Sequence, residues 1–193
     1  VTWLNHNTIL SSMNFGADQV NLDILKKRAF NLRWASVREG VIPLTAADPD
    51  FPCAQPIREA ISRYVQDGYL SYGPPEGLIE FREAVAENYV SSKNVGFDPG
   101  HILPVDSAAF GIYLICKTFL HAGDEAIIFD PVDFLFRYSV ETVNAVAVPF
   151  SIPPATSKVE FDALEELITP HTKMICLCNP LNPTGKVFTK EEL

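Results

Sequence analysis

Apolar and polar positions along this 193-residue chain follow two different periods. Residues 21–34 carry Leu22, Leu25, Ala29 and Leu32 at helical spacing, and residues 76–93 carry Leu78, Phe81, Val85 and Tyr89 in the same way. Between them, Pro56 suits the first turn of a helix that carries Ile57, Ile61, Tyr64 and Val65 and stops at Gly68. Short apolar runs at 41–47, 102–105, 126–129, 145–150 and 174–178 read as strands. Residues 108–121 are nearly all apolar, which predicts a buried helix. Shorter helices are predicted near 134–141 and 162–168. From about residue 100 onward, strands alternate with helices. That order predicts an α/β fold with a mostly parallel sheet flanked by helices, preceded by an N-terminal segment.

Polar residues gather where the apolar runs stop. Asp48-Pro49 and Asp130-Pro131 each close a strand-like run. Asn179-Pro180-Leu181-Asn182-Pro183-Thr184-Gly185 follows the last one. Ligands of open α/β sheets bind outside the carboxyl ends of the strands, so these three turns are placed to converge on one ligand. Ser107-Ala108-Ala109 opens the apolar helix. Small residues there let an anion approach the free N–H groups, and the helix dipole favours it. Ser107 reads equally well as an ordinary N-cap.

Composition narrows the classes. Hydrophobic residues make up 47% of the chain and charged residues 20%, which suits a globular protein with a real core. The net charge of −9 and the lack of a basic stripe argue against a nucleic-acid partner. No apolar run is long enough to span a bilayer, and no basic leader precedes an apolar segment, so no membrane partner is expected. Cys53, Cys116, Cys176 and Cys178 lack paired metal-ligand spacing and read as reduced thiols of a cytoplasmic protein; no metal is expected. Thr189-Lys190-Glu191-Glu192 reads as a capping box. It announces a helix just before Leu193, and the chain opens at Val1, so the expectation is a piece of a longer protein.

The stretch from Asn179 to Gly185 resembles the N-P-x-N-P-T-G motif of the class I/II aminotransferases, fold-type I enzymes that use pyridoxal 5'-phosphate. The resemblance implies that Asn182 hydrogen-bonds the phenolic oxygen of the cofactor ring. Ser71-Tyr72-Gly73-Pro74-Pro75-Glu76-Gly77-Leu78, leading into Glu80-Phe81-Arg82, is similar to that family's Y-x-x-x-x-G-L-x-x-(F/L)-R pattern. It implies a homodimer in which Tyr72 reaches the phosphate bound by the neighbouring subunit. By the same resemblance Ser107 and Ala108 seat the phosphate, and the backbone of Ala46 and Ala47 in Leu44–Pro52 contacts the substrate carboxylate. Relatives place an aromatic residue two positions after the proline of Asp130-Pro131, stacked on the pyridine ring. This chain has Asp133 there and Phe134 one position later. Phe134 is the candidate for stacking through a one-residue shift. Asp133 either sits beside the cofactor or caps the following helix.

The resemblance covers nearly the whole chain as the N-terminal half of a family member. It implies residues 1–50 as an N-terminal segment and 51–193 as the first part of the cofactor-binding large domain. The implied reaction moves an amino group between an amino acid and a 2-oxo acid. In the family the Schiff-base lysine lies well after the Asn-Pro-Thr-Gly loop, so no catalytic residue is expected in this chain, and Lys186 is not assigned that role. Two alternatives stay open. The turn Ala47-Asp48-Pro49-Asp50-Phe51-Pro52 also resembles the cystathionine β-lyase-like branch, which implies carbon–sulfur lyase chemistry. Asp133 and the Ser107 found where the family commonly has Gly leave room for a non-catalytic binding protein.

Overall fold

A parallel sheet forms from the short apolar runs that follow residue 124. The computed structural model describes residues 17–27, 32–45, 47–153 and 159–193. The chain divides into two compact units, Val1–Tyr72 and Gly73–Leu193.

Within the first unit, the described regular elements are helical. A 3₁₀ turn at Ala17–Gln19 precedes α1 (Leu22–Lys27), α2 (Leu32–Ala35) and α3 (Gln55–Gln66). Pro56 lies in the first turn of α3, where its missing N–H costs no helical bond. The strand expected at 41–47 does not form over its described residues. Val41, Ile42 and Leu44 are exposed, and among the described residues no strand pairs with them. Side chains hold the turn that follows. The Arg33 guanidinium donates to the Asp48 carbonyl and to the Asp50 carboxylate, and Trp34 Nε1 donates to Asp50 Oδ1 at 2.7 Å.

The second unit opens with α4 (Ile79–Lys93), which ends at Asn94 in the left-handed conformation, φ 54°. The N–H groups at this end return to the Tyr89 and Val90 carbonyls. Ile102–Val105, expected as a strand, is irregular. Pro104 removes a ladder donor in the middle of the run, and Leu103 and Val105 are exposed. Then follow α5 (Ala108–Phe119), β1 (Glu125–Asp130), α6 (Phe134–Thr142), β2 (Val146–Ser151), α7 (Phe161–Glu166) and β3 (Thr172–Cys176).

The strand order is β2-β1-β3 and both pairings are parallel; Ile127 stands opposite Val148 and Ile175. The central strand β1 is buried on both faces, so its sequence is a continuous apolar run, not an alternation. Ala126 and Ile128 pack with Cys116 and Leu120 at the end of α5 and with Val140 and Val143 at the end of α6. Ile127 and Phe129 turn to the other face and pack with Phe150, Ile152, Leu181 and Phe188. The helix α5 is less buried than its composition predicts. Only Cys116 within it is fully buried, while Phe110, Ile115 and Phe119 are exposed. A helix lying on one face of a three-stranded sheet covers a single stripe, however apolar the rest of its surface.

Candidate functional site

The carboxyl ends of β1 and β3 lie side by side because the strands are parallel neighbours. The helix α5 reaches the same edge from the opposite direction. Its C-terminal end runs through Leu120–Asp124 into the amino end of β1, and Ile112, Tyr113, Cys116 and Leu120 along it pack in the cluster that holds Ala126 and Ile128, which directs its first turn toward the carboxyl edge. Ser107, the Asp133–Phe134 pair and Asn182 therefore share one edge of the sheet, as ligand binding in an open α/β sheet requires.

The loop after β3 is rigidly built. The Leu181 N–H donates to the Lys186 carbonyl at 2.8 Å, and the Gly185 N–H donates to the Leu181 carbonyl at 2.7 Å. Gly185 takes φ +75°, which favours glycine. Leu181, 1% exposed, anchors the loop among Ile127, Phe129 and Phe188. The two asparagines of the motif do different work. Asn179 Oδ1 accepts from the Phe188 N–H at 3.1 Å and ties the loop exit to its entrance. Asn182 is exposed, and its Nδ2 donates to Asp133 Oδ2 at 2.9 Å. The Asp130–Pro131, Asn179–Pro180 and Asn182–Pro183 bonds are cis.

Asp133 is the N-cap of α6, its Oδ1 accepting from the Leu135 N–H at 3.0 Å. The capping reading is met, and the other carboxylate oxygen faces Asn182. Phe134 is the first residue of α6 and is 74% exposed. Ser107 is the N-cap of α5, with Oγ accepting from the Phe110 N–H at 3.2 Å. The Ala108 and Ala109 N–H groups come before the first possible intrahelical bond, so the helix itself leaves them open.

Gly77 adopts φ +82°, and a Cβ there would come within 2.7 Å of Pro104 Cγ. Arg82 Nη1 donates to the Pro99 carbonyl at 3.4 Å. The Gly77-Leu78…Arg82 pattern thus braces the segment that leads into Ser107. Tyr72 lies in the first unit and is fully exposed, and Ala47 is exposed there as well. Ala46 lies outside the described residues. Arg33 and Trp34, which grip Asp50, escaped the sequence reading because no local spacing links them to a turn 16 residues away.

Lys186 is fully engaged. Its Nζ donates to both Glu192 carboxylate oxygens, at 2.9 and 3.1 Å, and lies 4.9 Å from the centre of the Phe188 ring. The capping box forms as predicted: the Thr189 N–H donates to Glu192 Oε2 at 2.8 Å, and the Glu192 N–H donates to Thr189 Oγ1 at 3.2 Å. The Thr189 N–H, then Lys186, hold the Glu192 carboxyl below its ordinary range. Burial first, and then the neighbouring Cys116, push the Cys176 thiol up to about 11. Burial also raises Cys116. Neither thiol is a nucleophile at neutral pH. Among the described residues, no group of three His, Cys, Asp or Glu side chains is set to hold a metal, and no helix is long and apolar enough to cross a membrane.

Comparison with known proteins gives a consistent picture. The family model described as aminotransferase class I and II matches residues 39–193. An aspartate aminotransferase of Bacillus sp. (strain YM-2) is 33% identical over 156 residues, which is 79% of this chain and 39% of that protein. An aspartate aminotransferase of Pyrococcus horikoshii is 34% identical over 160 residues, 81% of this chain and 40% of that protein. The crystal structure of aspartate aminotransferase from Thermotoga maritima superposes with a TM-score of 0.73 at 28% identity, covering 78% of this chain and 40% of that one. Cystalysin from Treponema denticola, in a structure containing pyridoxal 5'-phosphate, gives a TM-score of 0.77 at 22% identity, a likeness of fold; it covers 86% of this chain and 44% of that one. The chain thus spans about two fifths of the length of the curated relatives it matches.

Proposed function

Because the chain belongs to the class I and II aminotransferase family, we propose that it contributes the first part of the cofactor domain of a pyridoxal-phosphate-dependent aminotransferase. The reaction is transfer of an amino group between an amino acid and a 2-oxo acid. In this reading residues 51–193 belong to the cofactor domain and residues 1–50 precede it. The observation that carries it is the Asn182 amide, displayed at the carboxyl edge of the sheet by a loop whose other polar groups are spent on holding the loop together.

The donors at this edge suit the cofactor. Two open N–H groups, at Ala108 and Ala109, face an anion with no bulky side chain in the way. The Ser107 oxygen accepts from Phe110, yet its own O–H remains free to donate to a phosphate. Asn182 supplies a neutral donor for a ring oxygen that carries negative charge, a bond worth roughly 1.5–3 kcal/mol. The exposed Phe134 ring offers an apolar face to an aromatic ring. When bound, pyridoxal phosphate supplies the electron sink that makes the substrate Cα–H acidic. Ala46 and Ala47 hold the substrate carboxylate through their backbone. Tyr72 acts in a homodimer, donating to the phosphate of the neighbouring subunit; its exposure leaves it available. No lysine in this chain takes the covalent role, and Lys186 is held instead by Glu192. Four free cysteines support a cytoplasmic location.

The test uses the full-length protein. Pyridoxal phosphate is added to the apoprotein, and binding is followed by its absorption. Amino-group transfer from an amino acid to a 2-oxo acid is then measured, beginning with aspartate, the amino acid in the relatives' names. Absence of a bound-cofactor band would overturn the reading. Release of ammonia without any 2-oxo acid acceptor would replace transfer by lyase chemistry.

A further inference from the structure

The pairing of Asp133 with Asn182 joins two loops that lie 49 residues apart in the sequence. Among the described residues, no other group bonds the Asn182 side chain. A terminal amide on an exposed turn rotates broadly about its last torsion and presents either its oxygen or its nitrogen. A carboxylate accepts and cannot donate, so the atom that Asn182 turns toward Asp133 is its NH₂. The opposite orientation would set the amide oxygen against a carboxylate oxygen. Asp133 is itself well fixed. Its other oxygen caps α6 through the Leu135 N–H, and α6 is anchored in the core by Val140.

We propose that Asp133 is a positioning residue for Asn182: it takes one amide hydrogen and so fixes the other as the donor to the cofactor's ring oxygen. The proposal rests on the assignment of this edge to pyridoxal phosphate. Released from Asp133, the amide would offer its oxygen to an electron-rich ring oxygen for part of the time, and that encounter is repulsive. A phenylalanine or tryptophan at position 133 has no acceptor to impose this choice. Asp133 therefore exchanges one kind of cofactor contact for another: stacking is left to Phe134, and orientation of the donor becomes the task of residue 133.

The experiment is a double-mutant cycle in the full-length protein with Asp133→Ser, Asn182→Ala and the combination. Serine keeps an N-cap acceptor for α6 and withdraws the oxygen that reaches Asn182. Three quantities are read: the affinity of the apoprotein for pyridoxal phosphate, the absorption maximum of the bound cofactor, and the melting temperature of the apoprotein. In the otherwise native protein, Asp133→Ser should lower affinity roughly two- to tenfold and move the band, with little change in melting. In the Asn182→Ala background it should change neither affinity nor band, because the residue it acts through is gone. An equal effect in both backgrounds would mean that Asp133 acts on the cofactor directly, and the proposal fails. A native affinity and band for Asp133→Ser, with Asn182→Ala altered, would reduce Asp133 to a helix cap. If Asn182→Ala itself left both unchanged, the site assignment would fall and take the proposal with it. Should the serine variant melt early, Asp133→Asn decides. It keeps the cap oxygen but confronts Asn182 with a donor, which turns the amide around, and it should lose at least as much affinity as serine.

Discussion

The helices α5 and α6 begin at the same edge of the sheet, but they begin with different caps. Ser107 starts α5 with a neutral hydroxyl that satisfies one donor, the Phe110 N–H, and leaves the N-terminal dipole uncompensated. Asp133 starts α6 with a carboxylate that satisfies one donor, the Leu135 N–H, and brings a negative charge of its own. The backbone geometry offers an anion seat at both places. Cap chemistry distinguishes them: the cap of α5 adds no charge, and the cap of α6 brings a carboxylate whose second oxygen bonds Asn182. A parallel sheet thus presents several helix starts at one edge, and on the proposed reading single residues sort them into binding and positioning roles.

The sharpest way to break this comparison is to give α5 the cap of α6. Asp is a good N-cap, so Ser107→Asp should fold normally. In the proposed site it would place a carboxylate against the cofactor phosphate. Two like charges about 4 Å apart near a protein surface repel by about 4 kcal/mol, so the affinity of the full-length protein for pyridoxal phosphate should fall about 700-fold. Titration by absorption measures it, and an affinity within tenfold of native would remove α5 from the site.

A second substitution attacks the delivery of Asn182 to α6. Leu181→Ala empties the anchor of the loop after β3 and should destabilise the protein by about 3 kcal/mol. Denaturant unfolding reads the loss. A change below about 1 kcal/mol would show that Leu181 does not hold the loop.

The smallest effect concerns a third cap. Thr189, like Ser107, is a neutral cap, but Glu192 reaches back to close it. The Glu192 carboxyl is held below its ordinary range, so its contribution is present above the unfolded carboxylate pKa. It is lost as pH falls through the lower folded value. Amide hydrogen exchange at Thr189 should therefore stay protected at neutral pH and lose protection in acid, relative to the core of β1. Glu192→Gln should lack that pH step. A step that persists in Glu192→Gln would assign it to another group.

Much of this arrangement was legible in the sequence. The apolar run of β1, the Pro56 start of α3 and the box at Thr189–Glu192 each depend on neighbours a few residues away, and each is found where the local pattern puts it. Patterns that need a distant partner fared differently. The runs at 41–47 and 102–105 have strand composition, but one finds no strand to pair with over its described residues and the other carries Pro104. The apolar α5 promised burial that a three-stranded sheet covers only along one stripe. Asp133 looked like either a cap or a cofactor neighbour, because nothing nearby in sequence shows that Asn182 will come within 2.9 Å. The inward turn of Asn179 onto the Phe188 N–H is hidden for the same reason: two asparagines in one motif look alike until the loop closes.

The carboxyl edge between Ser107 and Asn182 is proposed to seat pyridoxal phosphate. A crystal structure of the full-length protein with the cofactor bound is the decisive test. The phosphate should lie on the Ala108 and Ala109 N–H groups and the Ser107 hydroxyl and the ring oxygen on the Asn182 amide, with Asp133 still holding that amide from behind. A phosphate seated at the start of α6, or a cofactor ring out of reach of Asn182, would contradict it.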